Sequence, residues 1–214
     1  MKLMLTSSGI TNLSLAEALR SIVNAPIKIA FIPTAANNKR GNKEWLEEDI
    51  LNCKKIGSVD IVDISVMKKE EWLPLLEKAN VIFMGGGDTS YLMNWITKSG
   101  LIKELPELLK KRVYVGISAG TIVLSKRLSA SREFLYGDET KKPLSGLGYV
   151  NFYVRPHLNS KNFPKVRDIF LKKLVSKFDG DLYALDDDSA IIYDSGKIKV
   201  VSEGKWIKYA PIRN

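Results

Sequence analysis

Cysteine and histidine each occur once in the 214 residues, as Cys53 and His157. One thiol allows no disulfide within the chain, which suits a reducing compartment. So few histidines and cysteines leave a zinc site without ligands, and neither a metal nor an organic cofactor is expected. No apolar run approaches the length that crosses a bilayer. Met1 to Thr6 reads as a short strand rather than a signal peptide, so a cytoplasmic location is expected and no membrane partner. Repeats and low-complexity linkers are also missing. The formal net charge is +9, yet the basic residues never gather into a long block. They fall in short groups such as Lys54-Lys55, Lys110-Lys111-Arg112 and Lys172-Lys173. A scattered basic surface without a stripe argues against nucleic-acid binding and leaves, at most, a weak steering field for acidic substrates.

What is present is ordinary for a globular enzyme: 45% hydrophobic and 27% charged residues, enough for one α/β domain spanning residues 1–214. Apolar β-branched runs at Lys2–Leu5, Ile27–Ile32, Val59–Ile64, Val81–Met84 and Val113–Gly116 alternate with helical spacing over 13–23, 44–56, 70–78, 89–99 and 102–110. That alternation predicts a mostly parallel sheet with helices on both faces. Cys53 falls on the apolar side of the second helix as a buried thiol. Ligands in such sheets sit at the carboxyl ends of the strands, which places the loops after Ile32, Met84 and Ile117 around one crevice. Beyond Ser118 the pattern changes. Residues 129–148 read as loop, 149–154 as extended and 162–178 as a helix. Four short strands follow, at 182–185, 190–193, 198–201 and 206–209, with two hairpin turns. They predict an antiparallel meander that finishes one edge of the same domain, without a domain boundary.

The chemistry concentrates at Gly116-Ile117-Ser118-Ala119-Gly120, a G-x-S-x-G between a predicted strand and an apolar helix. A serine on so sharp a turn stands clear of the sheet, and the next amide points at a developing oxyanion. The same pattern also serves ordinary strand-to-helix turns with a capping serine. If an imidazole activates Ser118, it must be His157, which follows a strand end and Pro156. Two acidic groups could orient it: Glu133, Asp138 and Glu139 upstream, or Asp186-Asp187-Asp188 directly past a strand. The second is favoured, since three adjacent carboxylates call for a nearby cation, although a solvated acidic turn has the same composition. Gly85-Gly86-Gly87 ends a strand expected to neighbour the serine strand. It can lend a second oxyanion amide, or act only as a flexible turn. It is not G-x-G-x-x-G and gives no support for a dinucleotide.

Taken together, Val81 to Gly87-Asp88-Thr89, Gly116 to Gly120, Pro156-His157 and Leu185-Asp186-Asp187 resemble the dipeptidase E (aspartyl dipeptidase) family of serine peptidases. The likeness runs over nearly the whole chain, in matching order. It implies a class I glutamine amidotransferase-like fold with serine in place of cysteine, and hydrolysis of small peptides, dipeptides with N-terminal aspartate in the best known members. It implies Ser118 as nucleophile, His157 as base and Asp187 where the family has a glutamate, with Glu133 as the reserve acid. The oxyanion amides would come from Gly87 and Ala119. Gly86, Asp88 and Arg167 would meet the substrate, the arginine through a carboxylate. Asp88, Ile117 and Arg155 depart from the family's asparagine, tryptophan and asparagine. They surround the site without removing its chemistry and bear on specificity. Other acidic or isoaspartyl peptides are the nearest alternative substrates; a ligand-binding module of this fold without turnover is the alternative class. Oligomeric state is not legible in the sequence.

Overall fold

The computed structural model describes residues 1–38, 41–137 and 142–211. The five early apolar runs form parallel strands: β1 (Lys2–Thr6), β2 (Lys28–Ile32), β3 (Ser58–Ile61), β4 (Val81–Met84) and β5 (Val113–Ile117). Every residue of β4 and β5 is buried, as strands covered on both faces must be. Helices α1 (Leu13–Val23) and α2 (Glu44–Ile56) cover one face, where Leu15, Leu19 and Cys53 pack with Met4, Phe31 and Phe83. Helices α3 (Lys69–Lys78), α4 (Thr89–Lys98) and α5 (Leu101–Leu108) cover the other, where Trp72, Leu92 and Leu105 pack with Leu3, Leu5 and Ile82. The two-residue alternation of Leu3, Met4 and Leu5 between these clusters is the strand period itself.

The sheet continues beyond β1 with two antiparallel strands, β8 (Ser189–Asp194) and β9 (Lys197–Ser202), to give the order β3-β2-β4-β5-β1-β8-β9. The other C-terminal strands differ from the expected meander. β7 (Leu182–Leu185) and β10 (Trp206–Tyr209) leave the main sheet and join β6 (Tyr153–Arg155) in a separate sheet ordered β10-β7-β6. The burial pattern gives the reason. All four residues of β7 are buried, whereas β9 is half exposed along its length and suits an edge. β6 and β7 run parallel, so their carboxyl ends lie side by side.

Three local expectations also change. The helix after Ser118 is a single turn, α6 (Ala119–Ile122). The stretch read as loop contains α7 (Arg132–Tyr136), whose N-cap Ser131 accepts from the Phe134 amide. The helix expected over 162–178 begins only at α8 (Asp168–Leu174) and ends in a 3-10 turn at Val175–Lys177. Pro164 biases the residue before it away from helix, and the 160–166 segment is instead tied down by side-chain bonds from Arg167. No helix among the described residues is long and apolar enough to cross a membrane.

Candidate active site

Ser118 sits at the end of the central strand β5 with φ 48° and ψ −101°, a conformation that costs about 1–3 kcal/mol outside glycine. The turn is held from several sides. The Ser118 amide donates to Thr6 O at 3.2 Å, and the Thr121 and Ile122 amides each donate to Ser118 O at 3.0 Å. The Thr121 hydroxyl bonds Thr6 O and Gly116 O. The flanking glycines are needed because a Cβ on Gly120 would lie 2.1 Å from Met84 O, and one on Gly116 2.7 Å from the Thr121 amide. Sequence dictates the turn, and the turn lifts the hydroxyl toward the cavity.

The other two groups come from the small sheet. His157 follows β6 and Asp187 follows β7, and the parallel pairing of these strands brings the two loops together. His157 Nε2 lies 3.0 Å from Ser118 Oγ, and its Nδ1 lies 2.7 Å from Asp187 Oδ1. The same carboxylate oxygen accepts from the Ser7 hydroxyl at 2.8 Å and the Ser8 hydroxyl at 2.7 Å. Burial alone would raise the Asp187 pKa. The hydrogen bond and charge of His157, then the two serine hydroxyls, outweigh it and hold the carboxyl at about 2. An ionised Asp187 can only accept, so Nδ1 carries the proton and Nε2 faces Ser118 as an acceptor.

His157 is itself in a left-handed conformation, φ 67°. Ser7 steadies it by accepting from the His157 amide at 2.8 Å while donating to Asp187. Phe163 lies flat against the imidazole, ring centroids 4.1 Å apart and planes 4° from parallel. Ser7, Ser8 and Phe163 carry no sequence motif. Two loop serines after a strand are common, and Phe163 falls where a helix was expected.

The cavity at these groups encloses about 410 Å³, the size of a small-molecule or short-peptide site. Gly86 and Gly87 line it, and a Cβ on Gly86 would lie 3.5 Å from Ser118 Cβ. Gly87 has φ +143°, and a Cβ there would meet Ala35 O at 2.1 Å, so glycine is required. Ala119 opens α6, where an amide has no partner within its own helix. Among the described residues, the loop after Ile32 does not line the cavity as expected; its Ala35 carbonyl buttresses the glycine loop, accepting from the Asp88 amide at 2.9 Å. The loop after β1, through Ser8 and Thr11, lines it instead.

The remaining candidates fall in different places. Asp88 is the N-cap of α4, accepting from the Tyr91 amide at 2.8 Å and from Asn38 at 2.6 Å, and is not among the residues lining the cavity. Arg167 turns its Nη1 to the carbonyls of Ser160, Phe163 and Val166, and so fixes the loop that carries Phe163 rather than lining the cavity. Glu133 is exposed on α7 and lines the cavity with Arg132 and Arg155. Both ring nitrogens of His157 are engaged elsewhere, by Ser118 and Asp187. Asp138 and Glu139 lie outside the described residues. On the opposite wall α2 contributes Trp45, Glu48 and Asp49. Burial, then the neighbouring Glu48 charge, pushes the Asp49 carboxyl up to about 7.

A nucleophile on an elbow with an oriented imidazole can perform acyl transfer. Comparison with known proteins agrees with that chemistry: residues 3–201 match the sequence profile of peptidase family S51. The chain belongs to peptidase family S51. It is a serine-type peptidase acting on peptide substrate. Curated relatives include an uncharacterized peptidase of Listeria monocytogenes serovar 1/2a, 26% identical over 172 residues, covering 76% of this chain and 80% of that protein. Another is an uncharacterized peptidase of Pasteurella multocida, 25% identical over 174 residues, covering 78% and 81%. Among solved structures, a Listeria monocytogenes EGD-e protein assigned as a peptidase E superposes with TM-score 0.77 at 21% identity, covering 95% of this chain and 98% of that one. A peptidase from an acI-B1 Actinobacterium gives 0.73 at 24% identity, covering 99% and 95%. These neighbours share the class I glutamine amidotransferase-like fold expected from the sequence.

Proposed function

We propose that this S51 peptidase hydrolyses short peptides through a Ser118–His157–Asp187 triad and an acyl-enzyme. The observation that carries the reading is the unbroken line of contacts from Ser118 Oγ to His157 Nε2, 3.0 Å, and from Nδ1 to Asp187 Oδ1, 2.7 Å. Ser118 Oγ attacks the scissile carbonyl as its proton passes to Nε2. Asp187 holds the ring in the tautomer that can accept it and stabilises the imidazolium. The Gly87 and Ala119 amides receive the oxyanion. His157 returns the proton to the leaving amine, and water attacks the ester by the same route. The small cavity, about 410 Å³, favours dipeptides or tripeptides over a folded chain. Dipeptides with N-terminal aspartate are the first substrates to assay.

The test is a panel of Asp-X, Glu-X, Ala-X and isoaspartyl-X dipeptides with wild type and Ser118→Ala. Cleavage by wild type, lost in the variant, is expected, and the panel member cleaved assigns the substrate. Hydrolysis that survives in Ser118→Ala refutes the triad. No cleavage of any member refutes these dipeptides as its substrates.

A further inference from the structure

Arg155 is the residue of the cavity that the triad leaves without a task. It ends β6, two residues before His157, and only 2% of its surface is exposed. Among the described residues its guanidinium has one hydrogen-bond acceptor, Ala130 O, reached by Nη1 at 2.9 Å. Nε is buried with no partner. Among the described residues no carboxylate lies within ion-pair distance of it. Burial pulls its pKa down to about 10, with Tyr136 and Glu133 favouring the charge and Arg132 opposing it. The group is therefore still a cation at neutral pH. The Tyr136 ring lies under it, 5.6 Å from the guanidinium carbon, which fixes its position without supplying a counter-charge.

A buried cation lacking a counter-ion is costly unless a ligand supplies one. Arg155 lines the same cavity as Ser118, His157 and Gly87, and Arg132 lines it beside Arg155. A guanidinium whose charge is unmatched can hold a carboxylate in a planar, two-point bond. Because Arg155 and His157 share one short stretch of backbone, a group anchored on Arg155 is held in register with the base.

We propose that Arg155, supported by Arg132, is the specificity-determining residue of this site and receives a carboxylate of the peptide substrate. The proposal rests on the peptidase reading for its substrate, but not for its binding chemistry. The carboxylate belongs either to an acidic side chain or to the C-terminus of a very short peptide, and the assay separates the two.

Three matched peptides are compared: Asp-Leu, Asn-Leu, and Asp-Leu with a C-terminal amide. Their kcat/KM values are measured for wild type, Arg155→Gln and Arg155→Lys. Wild type is expected to prefer the carboxylate-bearing member of one pair by about tenfold to a hundredfold, the range for a charged hydrogen bond. Preference for Asp-Leu over Asn-Leu assigns the side chain, and preference for the free acid over the amide assigns the C-terminus. Arg155→Gln should collapse the preference, mainly through KM, and Arg155→Lys should restore part of it. A preference that persists undiminished in Arg155→Gln overturns the proposal, as does equal use of all three peptides by wild type. Succinate provides a readout without turnover. It should raise the melting temperature of Ser118→Ala, and the rise should vanish in Ser118→Ala/Arg155→Gln. Circular dichroism checks that each variant folds; if Arg155→Gln does not, Arg132→Gln and Arg155→Lys must both weaken the succinate shift, and an unchanged shift in both refutes the assignment. A succinate effect without any peptide cleavage would sink the dipeptide-hydrolysis reading alone, and cleavage without a succinate effect would sink only this one.

Discussion

Replacing Asp187 by asparagine separates the charge of the acid from its geometry. One oxygen, Oδ1, takes all three hydrogen bonds, from His157 Nδ1 and from the hydroxyls of Ser7 and Ser8. Two hydroxyl donors at that position favour the asparagine carbonyl oxygen over its amide nitrogen, so the imidazole keeps its orientation and its tautomer. What is lost is the attraction between the carboxylate and the imidazolium of the transition state. A unit pair about 4 Å apart in an effective dielectric of about 20 is worth about 4 kcal/mol. The Asp187 side chain is 40% exposed, and solvent screening reduces that to about 2–3 kcal/mol. The expected loss in kcat is then about 30- to 150-fold, with little change in KM. Asp187→Ala, which also removes the acceptor, should lose more. The assay is steady-state hydrolysis of the best dipeptide of the panel, with Glu133→Gln measured in parallel. Activity of Asp187→Asn within threefold of wild type, or a larger loss in Glu133→Gln, would refute the assignment of the acid.

Two further outcomes follow from backbone and burial. Gly87→Ala places a Cβ 2.1 Å from Ala35 O in a backbone with φ +143°, so urea unfolding should show a loss of at least about 2 kcal/mol; a loss under about 0.5 kcal/mol would mean that the glycine loop yields freely. Asp49 has its pKa raised from the ordinary carboxylate range to about 7 in the folded protein. The stabilisation from its proton is present below about pH 4 and lost as pH rises through about 7. Asp49→Asn should therefore raise the melting temperature, relative to wild type, more at pH 8 than at pH 5, and an equal shift at both would contradict the burial argument.

The sequence exposes the parts of this site that have few alternatives. Ser118 is visible because a strand stops at a glycine and small residues surround one hydroxyl. His157 is visible because the chain has no second histidine. Asp187 is visible because carboxylates rarely crowd a strand end without a cation nearby. The structure brings these three together. The partition of the C-terminal strands stays hidden, since β7 and β8 have similar composition and only packing assigns one to each sheet. Ser7 is hidden because its role depends on two bonds to residues 150 and 180 positions away. Arg155 reads as a departure beside Pro156, and nothing local to it signals that its guanidinium is enclosed. Arg167 shows the converse: a plausible anion ligand by position, spent on three carbonyls of its own loop.

The division of the triad between two sheets has a mechanical consequence. Ser118 rides on β5 of the large sheet, while His157 and Asp187 ride on adjacent parallel strands of the small one. Asp187 lies in the short link from β7 to β8 of the large sheet, so the acid spans the seam while the base and the nucleophile sit on opposite sides of it. Sliding of one sheet on the other would change the Ser118–His157 contact directly. Ser7 and Ser8, directly after β1, tether that seam: both hydroxyls bond Asp187, and Ser7 also accepts from the His157 amide. The alignment of nucleophile and base is thus a gauge of how the two sheets are docked, with two small hydroxyls setting its zero.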